Sequence, residues 1–128
     1  MPSEESSAPE VLIINDDRSL LQSRRQLLES CGATVSTARG TAEAIVETIL
    51  DPADLILIDA TNVGPEHGAF LCGLVKTLRP AKPLALLAFS DTEIPPNTRA
   101  DRIIYRNDPR QLLIEINEML DGRLKVDA

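Results

Sequence analysis

The sequence predicts an α/β protein in three layers, a five-stranded parallel sheet with helices on both faces. Three observations predict it. Val11 to Ile14, Leu55 to Ile58 and Leu84 to Ala88 are unbroken apolar runs of strand length. A run without polar alternation suits a strand covered on both faces. Segments with apolar residues at helical spacing lie between these runs, and strands alternating with helices call for parallel pairing through right-handed crossovers. Finally, 128 residues with 43% apolar content make one globular domain with room for a core. Aromatic content is only 2%, confined to Phe70, Phe89 and Tyr105, so that core must be aliphatic.

Residues 1–9 are polar and carry Pro2 and Pro9, which predicts a disordered lead-in. The folded domain is expected over 10–122, with a tail over 123–128. The first strand, Val11 to Ile14, stops at Asn15-Asp16-Asp17. Leu20, Leu21, Leu27, Leu28 and Cys31 then recur at helical spacing, with Arg24 and Arg25 assigned to other faces as a surface pair. Gly32 ends that helix. Ala33 to Ala38 reads as the second strand. A helix capped by Thr41 runs to Leu50, with Ile45 and Ile49 one turn apart, and Asp51-Pro52 ends it.

The third strand, Leu55 to Ile58, finishes in Asp59. His67 to Leu78 forms a helix buried through Leu71, Leu74, Val75 and Leu78. Pro83 introduces the fourth strand, Leu84 to Ala88, and Ile103 to Tyr105 is a short fifth. Asp108-Pro109 supplies an N-cap followed by proline at the first helical position. The last helix reaches about Leu120, and Gly122 stops it. One interval breaks the rhythm. Phe89 to Arg102 contains Ile94-Pro95-Pro96-Asn97, and consecutive prolines forbid helix before them and remove backbone donors. The crossover helix expected there is predicted missing or stunted.

Charge and composition exclude several functions. A net charge of −7 repels phosphate backbones, and no aromatic ladder is present to stack bases, so nucleic-acid binding is not expected. The longest apolar run is far short of a membrane span, and no secretory signal is present. Cys31 and Cys72 lack metal-type or redox-type neighbours and read as small buried thiols of a reduced, cytoplasmic protein. His67, the single histidine, reads as a solvated loop residue. Gly64, Gly68 and Gly73 have the wrong spacing for a phosphate-binding loop.

The acids at the strand ends carry the functional signal. For five alternating strands the commonest doubly wound order is 2-1-3-4-5, with its switch point between strands one and three. Those two strands end in Asn15-Asp16-Asp17 and in Asp59. Ligands of open α/β sheets gather at that crevice. Two carboxylates meeting there repel unless a cation lies between them, and hard oxygen ligands suit Mg2+. A carboxylate beside Mg2+ can attack a phosphoryl group to give an aspartyl phosphate. The plain alternatives are that Asp59 opens a turn and that Asp16 or Asp17 caps the first helix.

Val11-Leu-Ile-Ile-Asn-Asp-Asp-Arg-Ser-Leu-Leu21 and Asp54-Leu-Ile-Leu-Ile-Asp59 resemble the first and third strands of a response-regulator receiver domain. Ala100-Asp101 and Asp108-Pro109-Arg-Gln-Leu-Leu113 fit the same family, so the resemblance spans nearly the whole chain. It implies a flavodoxin-like, CheY-like fold and a role in two-component phosphorelay signalling. The protein would be a signalling module rather than an enzyme, beyond self-phosphorylation and autodephosphorylation of Asp59. It further implies that Asp59 is the phosphoacceptor, that Asp16 ligates Mg2+, and that Thr61 offers the metal its backbone carbonyl. The implied partners are a histidine kinase or phosphotransfer protein and a downstream protein.

Several positions depart from the family pattern. Asn15 replaces a second acid and would reach Mg2+ only weakly, through water. Ala88 stands where the family has Ser or Thr, and Arg106 where it has Lys. Arg keeps the charge, but its planar fork reaches differently. Asn107 replaces the usual Pro, and Ile103 a frequent switch aromatic. Two outcomes are open: an atypical receiver phosphorylated on Asp59, or a pseudo-receiver that acts by constitutive protein binding.

Overall fold

Nine elements lie along the described residues, 8–89, 93–106 and 108–126 of a computed structural model. They are β1 (Glu10–Ile14), α1 (Arg18–Glu29), β2 (Thr34–Ala38), α2 (Gly40–Leu50), β3 (Leu55–Asp59), α3 (Pro65–Leu78), β4 (Leu84–Phe89), β5 (Arg102–Arg106) and α4 (Pro109–Met119). The strands form one sheet in the order β2-β1-β3-β4-β5, every pair parallel. The predicted fold and strand order are therefore present.

Side chains alternate across the sheet and feed two cores. Val11, Ile13, Leu55, Leu57, Ala85 and Leu87 pack with Leu21 and Leu28 of α1 and Leu112 and Ile116 of α4. Leu12, Ile14, Ile56, Ile58, Leu84 and Leu86 pack on the other face with Ala44 of α2 and Leu71 and Val75 of α3. Continuous apolar runs are what this double coverage requires. Asp17 caps α1 by accepting from the N–H groups of Ser19 and Leu20, and Asp108 caps α4 by accepting from that of Gln111. Gly32, at φ 95°, takes the left-handed turn after α1 that a side chain would resist. No helix among the described residues is long and apolar enough to cross a membrane.

The passage from β4 to β5 contains no helix among its described residues. Thr98 closes a turn on Pro95, its N–H and its hydroxyl both donating to the Pro95 carbonyl. Ile94 and Ala100 pack against the α2–α3 core, so loop side chains cover part of the sheet that a helix would otherwise shield.

Two expectations need correction. Thr41 does not cap α2: the helix starts at Gly40, its N-cap is Arg39, and no N-cap side chain closes it. The buried positions of α2 are Ala44 and Thr48, while Val46, Ile49 and Leu50 face outward. Arg24 is not a surface residue but is buried in α1. At the chain ends, buried Pro9 accepts from Thr34 N, and Leu124 is buried while Lys125 N donates to Cys31 O, so short stretches read as lead-in and tail pack on the domain. Residues 1–7, 127 and 128 lie outside the described residues.

Candidate functional site

Asp59 ends β3, and strand alternation decides which way it points. It shares the face of Leu55 and Leu57, which is the α1–α4 side. Directly opposite on β4 is Leu87, and on β1 the face of Val11 and Ile13 continues to Asn15. The carboxylate is thus aimed into an otherwise aliphatic layer, and its side chain is 0% exposed. A carboxylate there needs a counter-charge.

That counter-charge is Arg24. Its Nε donates to Asp59 Oδ2 at 2.9 Å, and the arginine side chain is only 8% exposed. Arg24 follows Leu21 by three positions and precedes Leu28 by four, so it lies on the inward stripe of α1. The other carboxylate oxygen, Oδ1, accepts from Thr61 twice, at 3.0 Å from the backbone N–H and 2.6 Å from the hydroxyl. Both oxygens of Asp59 are therefore held by donors of the chain itself.

Asn15 faces the same strand end from β1. Its Oδ1 accepts from Asp17 N at 2.6 Å, which fixes the orientation of the amide. Nδ2 then donates to Asp59 O at 2.6 Å and to Asn62 Oδ1 at 2.7 Å. The side chain ties β1 to the loop after β3, and what it turns toward Asp59 is N–H rather than oxygen. Asp16 is exposed, its carboxylate lying toward the start of α2, where a Cβ on Gly40 would stand 3.6 Å from Oδ1. The Asp16 carbonyl accepts from Arg39 Nε at 3.3 Å.

The structure thus brings Asn15, Asp59 and Thr61 together and adds Arg24, while Asp16 is exposed, with its carboxylate beside Gly40. Ala88 is buried near the end of β4, in register with Tyr105, and its methyl offers no hydroxyl. Arg106 continues β5 in register with Phe89, and its side chain lies outside what is described. Arg24 was legible in principle: it occupies an apolar stripe position, and an arginine there must meet a carboxylate.

These residues do not fit a divalent cation. Mg2+ takes oxygen ligands, usually including one or two carboxylates. At Asp59 the Oδ1 atom already accepts twice from Thr61, Oδ2 faces the positive charge of the Arg24 guanidinium, which repels a second cation, and Asn15 presents nitrogen. Among the described residues, no group of three or more His, Cys, Asp or Glu side chains could hold a metal.

An α/β sheet of this order, with an acid at the switch point, defines the CheY-like class of folds. The chain is similar to a receiver domain protein from Methanospirillum hungatei JF-1, with TM-score 0.75 and 27% identity over 91% of this chain and 97% of that one. It is also similar in fold to the response regulator TrrA of Thermotoga maritima, solved in complex with Mg(2+)-BeF, with TM-score 0.75 and 16% identity over 87% of this chain and 98% of that one. In sequence it is 34% identical over 82 residues to the C4-dicarboxylate transport transcriptional regulatory protein DctD of Rhizobium meliloti (strain 1021). That match covers 64% of this chain but only 18% of DctD. No family model matches the sequence. The chain is a response-regulator receiver domain of two-component signalling.

Proposed function

We propose that this receiver domain signals by binding other proteins, without phosphoryl transfer to Asp59. The observation that carries this reading is the buried Arg24–Asp59 ion pair at 2.9 Å. A phosphoacceptor needs a carboxylate oxygen available to attack, and cationic groups placed on the transferring oxygens. Here Arg24 is directed at the acceptor itself, Thr61 holds the second oxygen, and Ala88 has no hydroxyl to offer a phosphoryl group. Phosphorylation would require the guanidinium to leave a carboxylate that has no other charged partner among the described residues.

The partners that go with this reading are a histidine kinase or phosphotransfer protein and a downstream protein, met in the cytoplasm. Transcriptional regulation, named for DctD, does not transfer, because the match spans so little of that protein. The domain acts as an interaction module, not an enzyme.

The test is intact mass after incubation with Mg2+ and acetyl phosphate, beside Asp59→Asn, and then with cognate kinases. The expected result is no added phosphoryl group on the wild type under either donor. One phosphoryl group on the wild type and none on Asp59→Asn would replace this reading with that of a working phosphoacceptor.

A further inference from the structure

We infer that Arg24 is a resident cation of the Asp59 site. Its guanidinium stands where a divalent metal would balance the carboxylate, so the folded chain is closed to Mg2+, and removing it uncovers a latent site for a hard divalent cation. This deepens the functional reading above and rests on it.

The argument begins with charge. Asp59 is fully buried at the end of a strand whose inward neighbours are leucines, and a buried carboxylate left without a counter-ion is strongly disfavoured. Some cation must therefore be held there. The chain supplies it from α1, between Leu21 and Leu28, with Nε at 2.9 Å from Oδ2. Guanidinium is the suitable head for that place, being planar, permanently charged and more weakly hydrated than ammonium.

The surrounding groups are matched to an internal cation rather than to a metal. From the loop after β3, Thr61 presents an N–H and a hydroxyl. From β1, Asn15 presents its Nδ2, because its oxygen is committed to Asp17 N. Asn15 spends Nδ2 on the Asp59 carbonyl and on Asn62, so the carboxylate itself is held by the two Thr61 donors and balanced by Arg24. Without the guanidinium, Asp59 keeps the Thr61 donors and an unbalanced charge beside a guanidinium-sized gap. Mg2+ suits such a gap because it retains most of its waters and needs only one or two carboxylates.

The test is thermal melting of the wild type, Asp59→Asn, Arg24→Gln and the double variant Arg24→Gln/Asp59→Asn. Each is melted in MgCl2 and in NaCl of equal ionic strength. We expect the wild-type Tm to be the same in both salts. Arg24→Gln should melt lower, and MgCl2 should raise its Tm by several degrees above the NaCl control, with no such rise in the double variant. A Tm rise in MgCl2 for the wild type that Asp59→Asn abolishes would overturn the inference, because the site would then already be open. A folded Arg24→Gln indifferent to MgCl2 would overturn it as well. If Arg24→Gln does not fold, Arg24→Lys carries the test by calorimetric titration with MgCl2: it keeps a cation beside Asp59, so silence is expected, and binding dependent on Asp59 overturns the inference. Phosphorylation is not read in this series, so a wild type that accepts a phosphoryl group would refute the functional reading separately.

Discussion

Lys76 and Asp101 form a polar clasp between α3 and the approach to β5, with Nζ 2.6 Å from Oδ2. The same ammonium donates to the carbonyls of Lys82 and Pro80, and the same Oδ2 accepts from Leu84 N at 2.8 Å. One carboxylate therefore joins the C-terminal part of α3, the start of β4 and the residue before β5. This fastens a crossover that has no helix among its described residues.

Asp101→Ala removes the partner of both Lys76 and Leu84 N. It should cost about 1–3 kcal/mol in urea unfolding, in the range for a buried donor left unpaired. Asp101→Asn keeps an acceptor for Leu84 N and should cost less, because Asp101 itself is 48% exposed and its charge is partly screened. Equal stability of the two variants would mean that the backbone bond to Leu84 contributes nothing.

Restoring the family's acid at position 15 should fail to restore a metal site. Asn15→Asp loses both N–H donations, to Asp59 O and to Asn62 Oδ1, and turns a like charge toward Asp59. The expected outcome is a loss of about 1–3 kcal/mol with no gain in Mg2+ affinity by calorimetry while Arg24 is present. Tight Mg2+ binding by Asn15→Asp would show that the missing acid, not Arg24, closes the site.

Cys72 should be inert in the folded state. Burial pushes its thiol up from 9.0 to about 12, with a further push from Asp101 and an opposing pull from Lys76. Native protein should therefore react slowly with thiol reagents near neutral pH and rapidly once unfolded. The linkage has a definite sign: the unfolded thiol ionises from about pH 9, whereas the folded one holds its proton to about 12. Stability present below pH 9 is thus lost as pH rises through that window. Cys72→Ala should flatten the decline, as read by urea midpoints at pH 8, 9 and 10.

Breaking the central ion pair from either side should be costly. Asp59→Asn and Arg24→Met each leave a partner buried without its counter-charge, which costs roughly 3–5 kcal/mol. The double variant should lose less than the sum, because each residue's cost is mainly that of stranding the other. Strictly additive losses in urea unfolding would show that the two groups do not interact.

Much of the fold is legible in the sequence because its strands are doubly covered. Val11 to Ile14, Leu55 to Ile58 and Leu84 to Ala88 have no polar alternation to confuse them, and Pro95-Pro96 marks a crossover with no helix among its described residues. In α2 the small residues Ala44 and Thr48 face inward while the bulkier Ile49 and Leu50 face out, Leu50 at 72% exposure, so hydrophobic size alone does not mark its buried face. At the site, Asp59 was legible from the end of its strand, but Arg24 was read as surface because charge is usually solvated. Only its spacing from Leu21 and Leu28 betrays an inward position. Strand order says nothing of where a side chain just past a strand end turns, and Asp16 is exposed, with its carboxylate beside Gly40.

The most direct measurement is the Arg24 Nε–H signal in a 1H–15N spectrum, recorded during a titration with MgCl2 and compared with Asp59→Asn. A guanidinium hydrogen-bonded to a buried carboxylate should give a resolved, slowly exchanging cross-peak near neutral pH. The account predicts that this peak persists unshifted through millimolar Mg2+ and vanishes into solvent exchange in Asp59→Asn. A wild-type peak that shifts saturably with Mg2+ and exchanges with water at the end point would mean that the metal displaces Arg24 from Asp59, and would contradict it.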